Sequence, residues 1–510
     1  MAGCGLFRCI HFHFSGEPGL PDHPNSDDPL YVQIAETIRG NIDSGRFQVG
    51  ARLPGSRSMA TALGVSRTVV LMAFEQLESE GYLESRTGSG TFVRMRSVAL
   101  TAPEATQLAP PAATRVPRLS RLAQRAERPN LLESRAPAHS TPTGDLIDLA
   151  QPRVKSDPRS LKAWRQQMIA LLRRRETPDF PELQGALSLR QALSGYLRSE
   201  RAIKVDPADI LIVSGAQQAR DLIARVLLDE GAGVAVEEPC HWSIRHSYAA
   251  NGARIVPCPV DANGMNIDLP TQALTGVRLL NVAPSFQFPT GTFMPEARRR
   301  ALLQWAYAND ACLVEDDFDC EHRVGVPTEP SMWTLDRHDH VIHASSFARS
   351  MFPALQLGYM LVPRALREAF LTVKWLADRG SISMQQHVLA AFISSGQYLL
   401  DLRRIAYRLA VRHRALQGAL QAHLGTEMQV TGSVAGGSLF VHLPALPIGC
   451  TTALETESLA RGLRIRGAER FFREPLEHTT LLLGYSDVSE ANLKRAASRL
   501  AAAYRAVAGR

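Results

Sequence analysis

From about residue 145 onward, β-prone apolar runs alternate with stretches of helical periodicity. The runs are "DILIVSG", "GVAVEEP", "RIVPCPV", "VRLLNVAP", "ACLVEDD", "HVIHAS" and "LGYMLVP". Each is short enough for a buried strand and is bounded by turn residues or helix-length segments. Such alternation predicts an α/β fold with a parallel or mixed sheet. After about residue 395 the pattern changes to a smaller α+β unit, ending in the helical stretch "SEANLKRAASRLAAAYRAVAG". The expected division of 145–510 is therefore a large subdomain of about 160–390 and a small one of about 395–510.

Residues 27–96 have a different rhythm. "PLYVQIAETIRGNIDSG" carries apolar residues at helical spacing and stops at Gly45; "SRSMATALG" is a short helix with Ser56 as its expected N-cap; "SRTVVLMAFEQLESEG" is capped by Ser66 and closed by Gly81. "YLESRTGSGTFVR" then reads as a hairpin around Gly88-Ser89-Gly90. Three helices followed by a hairpin is the order of a winged helix-turn-helix. Residues 97–144 are rich in Pro, Ala and Arg and read as a flexible linker. Residues 1–26 read as a disordered tail without the pattern of a signal peptide.

Composition narrows the classes of function. A net charge of +7 permits an anionic partner, although residues 27–96 carry 8 acidic and 8 basic side chains and form no general basic patch. The seven cysteines form no Cys-x-x-Cys pair, which suggests neither a zinc site nor a disulfide framework and fits a cytoplasmic chain. No apolar run reaches membrane-spanning length. Only five of the 57 basic residues are lysines (155, 162, 204, 374 and 494), so few amines are available for covalent chemistry.

The motifs "RLPGSRSMATALGVSRTVV" and "GSGTFV" resemble the GntR family of bacterial regulators. The resemblance implies double-stranded operator DNA as the partner. Ser66, Arg67 and Thr68 would enter a groove at a helix N-terminus, with Arg67 able to read guanine bidentately. Ser56 and Arg57 would face DNA one helix earlier. Arg52 and the wing tip Gly88-Ser89-Gly90 would meet backbone or minor groove.

The larger region is similar to fold-type I aminotransferases, and a GntR head fused to that fold is the architecture of MocR regulators. The carrying motifs are "VSGAQQARDLI", "APSFQFPTGTFMP", "VEDDFDCEHR" and "SSFARSMFPALQLGY". The resemblance implies a site for pyridoxal phosphate: Gly215, Ala216 and Gln217 form a phosphate cup at a helix N-terminus, and Asp316 pairs with the pyridine nitrogen. A buried acid held by arginine or backbone partners is the alternative reading of Asp316, and Ser346 either binds an anion or caps its turn. The site also departs from the family pattern. Arg349 stands in the lysine slot, and a guanidinium cannot supply the neutral amine that a Schiff base needs. Gln356 replaces an arginine on the phosphate, Phe318 a tyrosine, Phe286 a histidine, and His241 the aromatic that stacks on the ring.

These residues point to a regulator with no catalytic residues and no metal site. It would be homodimeric, with a head-to-tail arrangement implied by the resemblance, and open to a small-molecule effector. Pyridoxal phosphate would bind weakly if at all and without covalent attachment. Two alternatives remain: an active aminotransferase with a DNA-binding appendage, and a constitutive DNA-binding dimer whose large domain is only a scaffold.

Overall fold

The computed structural model describes residues 28–86, 88–94, 119–126, 145–150, 152, 157–173, 182–317, 329–432 and 436–509. The expected tail, most of the expected linker and Phe318 lie outside these residues. The chain divides into two compact units, one ending at Pro117 and the other starting at Arg118.

The head contains helices α1 (Leu30–Asp43), α2 (Ser56–Leu63) and α3 (Arg67–Ser79), then strands β1 (Leu83–Arg86) and β2 (Gly90–Val93). The strands pair antiparallel from Leu83↔Val93 to Arg86↔Gly90, which makes the expected wing. Helix α3 turns Val70, Ala73, Phe74 and Leu77 inward at helical spacing. They pack with Ile34, Ile38, Leu53, Met59 and Leu83 in one core. Truncating Phe74 to alanine there costs about 3–5 kcal/mol. Arg39 of α1 holds Glu80 at the end of α3 through a 2.7 Å ion pair, fixing the two helices. One boundary differs from expectation. Gly55 occupies the N-cap of α2 and Ser56 is its first helical residue, with no side-chain cap. The Ser56 hydroxyl is engaged instead by Arg67 of α3, a tertiary contact that competes with capping.

In the second unit, an eight-stranded mixed sheet forms the large subdomain. Its strands are β3 (Ile210–Val213), β4 (Gly233–Glu238), β5 (Arg254–Asp261), β6 (Gly264–Met265), β7 (Val277–Val282), β8 (Cys312–Asp316), β9 (Val341–Ser346) and β10 (Gly358–Leu361). The spatial order is β3-β10-β9-β8-β7-β4-β5-β6. Strand β10 runs antiparallel to both neighbours, while β9, β8, β7, β4 and β5 are mutually parallel. All seven apolar runs read from the sequence are strands. Helices on either face bury the central strands, which are apolar on both sides, whereas β5 near the edge alternates.

The small subdomain packs a 28-residue helix, Gln397–Leu424, and the terminal helix Glu490–Val507 against a three-stranded sheet, Gln429–Thr431, Ser438–Pro447 and His478–Gly484. Ile147 and Leu149 join its core, and Ile147–Asp148 pairs with Leu463–Arg464. Residues 147–149 thus belong to the small subdomain although they precede the large one in sequence.

Part of the expected flexible linker is ordered. Residues 121–126 form helix α4 (Arg121–Ala126), whose Arg121 and Arg125 both pair with Glu230. Six residues cannot sustain a helix alone, so tertiary contacts more than a hundred positions away supply the order. Among the described residues no helix is long and apolar enough to cross a membrane.

Candidate functional site

On the head, the expected DNA-facing residues cluster at two places. Ser66 caps α3, its hydroxyl accepting from the Val69 backbone N–H at 3.4 Å. The next two residues, Arg67 and Thr68, open the helix on an exposed face, beside exposed Arg57 on α2. Arg67 donates Nε–H to the Ser56 hydroxyl at 3.2 Å. One of its guanidinium donors is thus spent on orientation, and its terminal amino groups are the ones left for a ligand.

The second place is the wing. Arg52 lies across Gly90: a Cβ there would come 2.7 Å from Arg52 Nε, and Gly90 has a φ of +111°. Glycine is needed at this position on both counts. Gly88 is also left-handed, at +77°, and Ser89 donates its backbone N–H to the Arg86 carbonyl to close the turn. Arg86 stacks over Phe92 with its guanidinium 5.0 Å from the ring centre.

In the large subdomain, the expected cup residues sit at the start of helix α5 (Gly215–Leu227), directly after β3. Gly215 has a φ of +79°, and its Cα would lie 3.1 Å from a Cβ at Gly358. The two glycines let the α5 turn press against β10 beside Ser346. Ser346 accepts from the Ala348 N–H at 3.3 Å and thereby caps its own turn. Gln217 donates its side-chain amide to Ser247 at 2.6 Å.

Asp316, at the end of β8, is buried and accepts from Arg220 of α5, with Nη2 to Oδ2 at 3.1 Å. The arginine partner expected for a structural acid is therefore present. Arg349 donates Nη1–H to the Pro152 carbonyl at 3.2 Å. A Cβ at Gly437 would also come 3.1 Å from Arg349 Nη2, so the side chain reaches the small subdomain. Gln356 is exposed, adopts a left-handed φ of +49°, and folds its amide back onto the Pro353 carbonyl at 2.9 Å. Phe286 is buried against Gly436.

His241 caps helix α6 (Trp242–Ala250), its Nδ1 accepting from the Ser243 N–H. Its ring lies 5.7 Å from Phe288 and 6.3 Å from Phe471. Burial first, then the field of Arg220 and other arginines including Arg349, pushes its pKa down to about 3, and the imidazole is neutral. Glu237 shows the opposite effect. Full burial raises its carboxyl to about 8, against weaker lowering by hydrogen bonds from Ala283 and Gln287.

Sequence reasoning missed three elements of this site. Arg220 is one; its signal was a charged residue within the buried positions Ala219, Leu222 and Ile223 of an amphipathic helix. Glu237 is another. The third is a buried network on the opposite face of β8, as the two-residue strand period requires. There His343 Nδ1 meets Glu315 at 3.0 Å, and Arg201 meets Asp317 at 2.9 Å. Burial is the largest single influence on His343 and lowers its pKa, but the hydrogen bond to Glu315 and the charges of Asp317 and Glu315 together outweigh it, and the pKa is raised. Lys374, the lysine nearest in sequence to Arg349, is buried and donates to Asp378 at 2.8 Å and to Ser381 at 3.0 Å.

A winged helix-turn-helix head followed by an aminotransferase-fold unit defines a class: DNA-binding regulators built on an enzyme scaffold. Comparison with known proteins specifies it further. The model for bacterial regulatory proteins of the gntR family matches residues 30–93, and that for aminotransferase class I and II matches 145–500. The chain is 31% identical over 492 residues to the probable rhizopine catabolism regulatory protein MocR of Rhizobium meliloti, covering 95% of each. It is 30% identical over 500 residues to the HTH-type transcriptional regulator TauR of Rhodobacter capsulatus, covering 94% of this chain and 98% of the relative. The chain belongs to the MocR-type transcriptional regulators, a GntR DNA-binding head joined to an aminotransferase class I and II domain. Among solved structures, a multiple substrate aminotransferase from Thermococcus profundus superposes with a TM-score of 0.65 at 24% identity, over 72% of this chain and 92% of that one. That likeness concerns the fold. Proteins with this aminotransferase fold typically bind pyridoxal phosphate.

Proposed function

We propose that this regulator acts as a cytoplasmic homodimer whose aminotransferase-fold domain dimerises and senses a small molecule without catalysing a reaction. The head spans about residues 27–96 and reads duplex operator DNA through Arg67 and Arg57. Ser56, Ser66, Thr68, Arg52 and the wing tip position them or meet the DNA backbone. A head-to-tail dimer would present two such heads to two half-sites, which suits a head with no net basic patch.

The observation that carries the reading is Arg349. A guanidinium fills the slot in which the family pattern places the lysine amine, and it is hydrogen-bonded to the Pro152 carbonyl. The other retained positions agree with it. Gln356 turns its amide onto its own loop, so the phosphate would lack a charge-assisted partner. Asp316 is already paired with Arg220. The cup at Gly215–Gln217 suits a phosphate, but the set as a whole does not fit a covalently held pyridoxal phosphate. Lys374 does not rescue it, since its amine is committed to Asp378 and Ser381.

The test is an absorbance spectrum of the purified full-length protein with added pyridoxal phosphate, then borohydride reduction and peptide mass mapping. The expected result is no reduced pyridoxyl adduct at any lysine. A stoichiometric adduct would reinstate the aminotransferase reading.

A further inference from the structure

Arg220 lies five residues into α5, between Gly215–Gln217 at its N-terminus and Asp316 at the end of β8, the positions expected to hold the cofactor phosphate and ring nitrogen. Its side chain is 10% exposed and that of Asp316 is 8%, so the pair sits out of water. A charge buried to this degree is retained only where an opposite charge meets it. Tyr248, whose hydroxyl donates to Asn281 at 2.9 Å, and Cys240 lie within the electrostatic reach of Arg220. Among the described residues no acceptor takes the buried Nε of Arg220.

The carboxylate of Asp316 is neutralised without a ligand. Asp316 contributes one negative charge and Arg220 one positive. Glu237 is protonated at neutral pH, and His241 is neutral. A protonated pyridine ring arriving at Asp316 would bring a second cation to a carboxylate already neutralised. At an effective dielectric near 20, two like charges about 4 Å apart weaken binding by on the order of 100- to 1,000-fold.

We propose that Arg220 replaces the cofactor's ring nitrogen from within the chain: its guanidinium occupies Asp316, excludes ligands with a cationic ring, and restricts the pocket to neutral or anionic ones. This rests on the proposed non-covalent reading of the site. Arg349 removes the covalent bond, whereas Arg220 removes the ring contact, and the two losses are chemically separate. Arg220 is thus a specificity-determining residue rather than a catalytic one.

The test uses 4′-deoxypyridoxine 5′-phosphate. This probe has the ring nitrogen and the phosphate but no aldehyde, so its binding does not depend on an amine at residue 349. Calorimetric titration of the full-length protein compares wild type, Arg220→Leu, Asp316→Asn and the double variant. Arg220→Leu is expected to bind the probe at least about 30-fold more tightly than wild type, and the double variant is expected to lose that gain. Without ligand, each single variant should unfold at lower temperature than wild type, because each strands one buried charge. The double variant should recover most of the loss. Should Arg220→Leu fail to fold, Arg220→Gln, which keeps a donor toward Asp316 without charge, is expected to show a smaller gain in the same direction. The inference is overturned if a folded Arg220 variant binds the probe no better than wild type, or if its gain survives Asp316→Asn. A borohydride-reducible adduct in wild type would overturn the non-covalent reading while leaving the probe comparison to judge Arg220.

Discussion

Ser56 is the residue through which the geometry of the head can be tested most sharply. It does not cap α2; its hydroxyl accepts from Arg67 Nε at 3.2 Å. An arginine side chain has roughly 2 kcal/mol of rotamer entropy to lose when it is fixed against a base. A long, solvent-exposed hydrogen bond from the guanidinium that pre-orients it recovers only part of that, roughly 0.3–1 kcal/mol. Loss of the bidentate base contact costs more, about 1–3 kcal/mol, or roughly 5- to 150-fold in affinity. Ser56→Ala should therefore weaken operator binding about two- to fivefold, and Arg67→Ala by the larger factor. In the Arg67→Ala background the Ser56 change should cost nothing, because nothing remains to orient. The assay is fluorescence anisotropy at one fixed ionic strength, on duplexes selected from a random library by the wild-type protein. An equal loss from Ser56→Ala in both backgrounds would show that Ser56 acts by itself, as a phosphate contact would. An Arg67→Ala variant within about twofold of wild type would refute the placement of α3 in the groove.

Four further outcomes are expected. Arg57→Ala should weaken DNA binding, and its salt dependence should become shallower if the lost contact is to phosphate, as measured by titration over ionic strength. Gly90→Ala should lower both thermal stability and DNA affinity, because it strains a φ of +111° and displaces Arg52. Light scattering at micromolar concentration should show a dimer; a stable monomer would contradict the proposed assembly. Stability should also follow pH with opposite signs on the two sides of the pocket. The raised pKa of Glu237 gives stability that is full below about 4.5 and lost as pH rises through about 8, whereas the depressed pKa of His241 gives stability present above about 6.5 and lost as pH falls toward about 3. In denaturant titrations across pH, Glu237→Gln should flatten the alkaline limb, and His241→Asn, which can still cap α6, the acidic limb.

The strands and the wing were legible because each writes its own local pattern: apolar runs between turn signals, and glycines where the chain must turn. Helix α4 was not. Its six residues carry no amphipathic repeat long enough to read and lie in a Pro- and Ala-rich stretch, and its anchor, Glu230, is 105 positions from Arg125. Ser56 was misread for a related reason. A serine before an apolar helix is the usual capping signal, and only the fold brings Arg67 to it from eleven residues away. The individual losses at Arg349 and Gln356 could be seen in the motifs, whereas the compensation could not. Nothing local to "QQARDLI" says that Arg220 meets Asp316, 96 positions later.

That long-range pair changes what the substitutions in the pocket mean together. Losing a lysine and a phosphate-binding arginine would by itself leave a damaged cofactor site, with Asp316 buried and waiting for a cation. A buried carboxylate without a partner penalises the folded state, and selection on stability alone would then favour its removal or its neutralisation. Arg220 provides the second solution. Asp316 remains, yet its charge is met from helix α5 rather than from a ligand. On the proposed reading, the domain would then hold its fold without a ligand, which a sensing role requires if ligand binding is to be a signal rather than a condition of folding. A ligand that adds stability to an already folded domain can shift a population between states; one that the fold depends on cannot be released without unfolding.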